Sequence, residues 1–123
     1  MKKITLMLAT VLGLVGIAGS IAWAHHGWSW TTGDNIELVG IIKTISLGMP
    51  HGTVEVDAEG DVWTVEVGQP WRNERAGLVD GDLAEGVEIR VIGEPSSNIE
   101  DRLMKAERFY LGEREYILYP DRD

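Results

Sequence analysis

The chain holds three histidines in two places, His25 and His26 side by side and His51 on its own. A cut after Ala24 would give His25 a free α-amine beside its imidazole, two nitrogens that can chelate one metal in a compact ring. An α-amino group has a pKa of about 7.7–8.0, so modest metal affinity removes its proton near neutrality. His26 adds an adjacent imidazole, and His51 offers the third nitrogen from a turn after Pro50. Met49 brings a soft thioether two residues before His51, a donor suited to Cu(I). Nitrogen-rich sets favour Cu(II) through tetragonal geometry and affinity order. Zinc is the alternative, because three nitrogen donors with an open position also describe a zinc site. The plain alternative is a solvated His-His terminus and a loop histidine making a single hydrogen bond.

Processing decides whether that amine exists. Lys2 and Lys3 precede an uncharged run from Ile4 to Ala18, and Gly19, Ser20, Ala22 and Ala24 bring small residues to its end. This order predicts a secretory signal over residues 1–24, cleaved after the A-x-A pattern of Ala22 and Ala24, and a single mature domain over 25–123. An uncleaved membrane anchor is the rival reading, since the run nearly reaches the length of a bilayer span. Cleavage predicts a periplasmic or secreted protein with no stable membrane insertion; retention predicts an N-terminally anchored one. The net charge of −9 falls to −11 once Lys2 and Lys3 leave with the segment. Phosphate backbones would be repelled, so nucleic acid is excluded as a partner, while a metal ion and a periplasmic protein stay open. With no cysteine in the chain, disulfides, thiolate metal sites and cysteine catalysis are excluded.

The elements that must position these residues read as strands. Ile36 to Ser46 is long and β-branched, with Gly40 marking a bulge or sharp bend. Thr53–Asp57 and Val62–Val67 alternate cleanly around Ala58-Glu59-Gly60-Asp61 and predict a hairpin. Pro70 is placed to begin a short helix through Ala76 that Gly77 stops. Val87–Ile92 is a further strand, Ile99 begins as a helical turn or continues as strand, and Ala106–Leu111 and Glu115–Tyr119 flank Gly112-Glu113. The fold class is therefore all-β with one short helix: a small closed or partly open antiparallel β-barrel of the oligonucleotide/oligosaccharide-binding type. An open antiparallel sheet on one helix is the alternative.

Other candidate chemistry is thinner. Glu55, Asp57, Glu66 and Glu88 alternate with apolar residues, which puts them on solvated strand faces rather than in an acid/base pair. Asp80-Gly81-Asp82 lacks the further ligands of a calcium loop and reads as an acidic turn. Arg72 and Arg75 stand one helical turn apart, a spacing open to an anion clamp or to solvated ion pairs. Trp28 and Trp30 lie on one side of a strand-like segment, as packing or as a stacking surface for sugar rings. No phosphate loop, nucleophile elbow or serine–histidine–acid pattern is present, so no catalytic residue is assigned.

Several of these short motifs together resemble an uncharacterised bacterial family of small exported proteins. They are the His25-His26 start, the Met49-Pro50-His51 turn, Gly68-Gln69-Pro70 leading into the helix that ends at Gly77, and Gly86-Val87-Glu88-Ile89. Members show Asn where Met49 stands and Asn where Trp71 follows Pro70. The resemblance implies an exported β-rich fold and carries no activity with it. The pairing of a mature N-terminal histidine with a second histidine also resembles the histidine brace of copper proteins. These readings converge on an exported copper-binding protein, metal held by the N-terminal histidine and His51, for metal handling. A non-metal binding module for a small ligand, glycan or protein partner is the alternative, and a copper redox enzyme is a third reading.

Overall fold

A computed structural model describes residues 27–122. The chain divides between Trp30 and Thr31. On the N-terminal side the described residues 27–30 form turns, so Trp28-Ser29-Trp30 is not the strand-like segment its alternation suggested. The segments 1–24 and His25-His26 lie outside the described residues, and with them the cleavage and anchor readings. No helix among the described residues is long and apolar enough to cross a membrane.

From Thr31 onward the chain forms β1 (Ile36–Ser46), β2 (Thr53–Ala58), β3 (Asp61–Glu66), α1 (Pro70–Arg75), β4 (Glu88–Pro95), a 3-10 turn (Ile99–Asp101), β5 (Leu103–Leu111) and β6 (Arg114–Ile117). The strand order β3-β2-β1-β4-β5-β6, with β3 also paired to β5, closes five strands into a barrel and leaves β6 as an added strand on β5. The expected barrel is thus present, with one departure from the antiparallel expectation: the closing pair, Thr64–Glu66 beside Leu103–Lys105, is parallel. The helix lies in the connection between β3 and β4, as the Pro70–Gly77 punctuation implied.

Closure depends on β1 serving two neighbours. Ile36–Ile41 pair with β4 and Ile41–Ser46 with β2, so the strand must turn sharply near its middle. Gly40 sits at that point: an added Cβ would collide with the Asp57 carbonyl oxygen and lie 2.7 Å from Val56 Cγ1. The register shift itself falls at Lys43, between Ile42 and Thr44, so close approach and bulge are separate devices. A second bulge puts Glu107 outside the β4–β5 ladder, beside Gly93, where an added Cβ would again meet backbone. The inward alternation of Leu38, Ile42, Val54, Val56, Val65, Ile89, Val91, Met104, Ala106 and Phe109 fills the interior, with Tyr116 stacked on Phe109 at 4.8 Å between ring centroids.

Local chemistry explains the shorter elements. In the β2–β3 hairpin both loop residues have positive φ, Glu59 at 54° and Gly60 at 88°, as a type I′ turn requires. The Gly60 N–H donates to Asp57 Oδ1 at 3.0 Å and steadies it. Helix α1 starts on Pro70 and ends in a Schellman arrangement, with Gly77 N–H on the Glu74 carbonyl and Leu78 N–H on that of Asn73.

Candidate functional site around His51 and Glu66

His51 belongs to the loop between β1 and β2, and hairpin geometry decides what it meets. Thr53 lies opposite Glu66. The ladder continues one step further, because Gly52 N–H donates to the Gly68 carbonyl and Val67 N–H to that of Gly52, both at 2.9 Å. His51, two residues from Thr53, is then the diagonal neighbour of Glu66 on the same face. The side chains meet, with His51 Nε2 3.2 Å from Glu66 Oε1. The histidine side chain is 29% exposed and the glutamate 8%, so the pair joins a reachable ring to a buried carboxylate.

That contact fixes the imidazole. With Nε2 turned to the carboxylate, Nδ1 is the ring nitrogen left for another partner. A carboxylate behind a histidine is the usual second partner of a metal-ligating ring and orients it.

Glu66 was expected on a solvated strand face and is instead among the buried charged residues. The closing strand β5 covers it, with Lys105 as its parallel partner. Burial, first of all, depresses the Lys105 proton affinity, and the Glu66 charge opposes that shift. Tyr119 packs into the same group; burial raises its phenol, the Arg72 charge works downward and Glu66 upward. Arg72 lies over the Tyr119 ring at 4.1 Å and the Trp71 ring at 4.5 Å, and its Nη1 donates to the Leu118 carbonyl at 3.0 Å. The arginine reading is thereby narrowed: Arg72 ties the helix to the segment after β6, and Arg75 plays no part in that contact.

Of the residues singled out by sequence, His51 is in this group and Met49 is on the same loop but 76% exposed, joined to Pro50 through a cis peptide bond. His25 and His26 lie outside the described residues. Among the described residues no group of three or more histidines and carboxylates converges to hold a metal ion. Lys105 and Tyr119 escaped the sequence reading, and Glu66 entered it only as a solvated acid. The signal for Glu66 was the two-residue Glu59-Gly60 turn, which fixes Thr53 opposite Glu66 and puts His51 diagonal to it. Asp82 keeps its place in an acidic turn, where its Oδ2 accepts from Val79 N–H and Tyr116 Oη, both at 3.0 Å. A cavity of about 430 Å³ adjoins the same loop and helix, bounded by Leu47, Pro70, Asn73, Leu78 and Val79.

Residues 13–103 match a family of unknown function (DUF6152). The chain belongs to that family. The match takes in His51, Glu66 and the whole barrel up to the start of β5, and begins within the apolar N-terminal run. No curated protein matches the chain. Among solved structures it is similar to one titled "Crystal structure of the ZRD-deleted mutant of TiaS in complex with agmatine", at 17% identity and a TM-score of 0.48. The likeness covers 68% of this chain and 26% of that one, so this chain spans about a quarter of that protein's length.

Proposed function

We propose that this DUF6152 protein is an exported copper-binding protein that holds the metal through the N-terminal amine and ring of His25, exposed by cleavage after Ala24, and through His51. The observation that carries the reading is the His51–Glu66 pair: Nε2 is engaged by a buried carboxylate 3.2 Å away, which leaves Nδ1 as the donor. His26 and Met49 are reserve donors, the second suited to Cu(I). The role is binding and transfer of the ion in the periplasm or outside the cell. Zinc is the competing ion, and the two differ in their expected affinity order.

The test is a metal titration of the exported protein alongside mass spectrometry of its N-terminus. A mature chain starting at His25 is expected to bind one Cu(II), more tightly than Zn(II), and a version with one extra residue ahead of His25 is expected to bind far more weakly. Equal affinity in the two versions eliminates the amine as a ligand. His51→Ala should weaken binding in the mature form; an unchanged titration removes His51 from the site.

A second reading has its own support. Val79 is 62% exposed and lines, with Leu47, Pro70 and Leu78, a cavity whose volume lies in the range of small-molecule sites. A metal-independent module for a small ligand, glycan or protein partner would use that face, and Val79→Asp would abolish its binding while leaving the copper titration intact.

A further inference from the structure

A second group of carboxylates begins at Glu94, on the other side of Lys105 from Glu66, and differs from the His51 loop in chemistry. Gly33, Asp34, Asn35, Glu94, Glu107, Asp121 and Arg122 line an open, predominantly polar cleft of about 360 Å³. Glu94 and Glu107 are buried, at 3% and 2% exposure, while Asp34 and Asp121 are exposed at its rim.

The two buried carboxylates are treated very differently. Glu94 Oε1 accepts from Thr31 Oγ1 at 2.7 Å and Oε2 from Arg122 Nη2 at 2.8 Å, and the Gly33 N–H contributes a third bond. Glu107 stands in the β5 bulge, its backbone carbonyl taken by Leu118 and Tyr119 N–H groups, and its buried Oε1 has no hydrogen-bond partner. Burying a carboxylate oxygen without a donor is costly, and bulges recur where a strand re-aims a side chain for use. Four carboxylates against one guanidinium give the cleft a negative field.

We infer that this cleft binds a small organic cation, a primary ammonium or guanidinium group, whose N–H donors are accepted by Glu107 and whose charge is further balanced by Asp34 and Asp121. Arg122 on Glu94 is the same interaction made from within the chain, which sets the chemistry and scale of the group received. A bare metal ion fits less well: among the described residues no three carboxylates converge closely enough to coordinate one. The cleft's volume admits a short alkyl chain behind the charged head.

The test is calorimetric titration of the full chain with n-butylammonium and with methylguanidinium at constant ionic strength, with Ca²⁺ as a third titrant. The expected result is one saturable site for an organic cation in the millimolar range or tighter, weakened at least about tenfold by Glu107→Gln, as for loss of a charge-assisted hydrogen bond. The double variant Asp34→Asn/Asp121→Asn, changed only at the exposed rim, should weaken it by a smaller factor and keeps the test decisive if Glu107→Gln does not fold. Absence of saturable binding, binding insensitive to both variants, or saturation by Ca²⁺ alone overturns the inference. Copper titration of the rim variant should be unchanged, so this site and the His51 site fail independently.

Discussion

His51 and Glu66 show how much one contact alters the meaning of a residue. A loop histidine is chemically ambiguous; one whose Nε2 lies against a buried carboxylate has an oriented ring with Nδ1 as the nitrogen left for a ligand. Glu66→Gln should therefore lower Cu(II) affinity of the mature protein about tenfold while leaving the ligands in place, read by competition titration. Asn73 is a structural counterpart. It is buried, its Oδ1 accepts from Gly68 N–H at 2.8 Å and its Nδ2 donates to the Gly68 carbonyl at 2.9 Å. Asn73→Ala leaves the buried Gly68 N–H without an acceptor, while the Gly68 carbonyl keeps the Gly52 N–H, and should cost about 2 kcal/mol in urea denaturation. Because Gly68 also bonds Gly52, the same variant should loosen the position of His51.

At the scale of elements, the bulged and bent strands decide which side chains reach the sites. Gly93 lies across from the bulge that sets Glu107, and an added Cβ would lie 2.9 Å from Ala106 Cα besides meeting the Lys105 carbonyl. Neither neighbour is a flexible side-chain end, so Gly93→Ala should destabilise by about 2 kcal/mol and lower the melting temperature. The β2–β3 turn offers the opposite sign. Glu59 holds φ at 54°, a region that favours Asn over Glu, immediately before Gly60. Glu59→Asn should stabilise the hairpin by about 0.5 kcal/mol, measured by the same denaturation.

Over the whole molecule, closure without disulfides places several carboxylates in or near the interior, and acid should find them first. Burial alone would raise the Glu94 pKa, but the Thr31 hydroxyl, the Arg122 guanidinium and the Gly33 N–H together hold it below its ordinary value of 4.5. With a folded value below the unfolded one, the stability it contributes is complete above the unfolded value and is lost as pH falls through the folded one. Unfolding free energy measured from pH 6 downward should fall below about pH 4.5. The slope should flatten in Glu94→Gln. A slope unchanged by that substitution would assign the acid sensitivity to other carboxylates.

The local elements were written in the sequence, because strand alternation, Pro70 at a helix start, Gly77 at its end and the Glu59-Gly60 turn all act within a few residues. The barrel class followed from their number and order, and the His51 loop was recognised by its residue types. Three things required the tertiary structure. The parallel β3–β5 pair joins residues nearly forty positions apart and carries no local signal, yet it is what buries Glu66 and brings Lys105 beside it. The bulge at Glu107 depends on how β4 and β5 share register around Gly93, so alternation alone assigns that glutamate to the wrong environment. Arg122, near the end of the chain, meets Glu94 only once the barrel has closed. Periodicity dictates which face a side chain takes; whether that face meets water, a carboxylate or another strand is decided by contacts between distant segments.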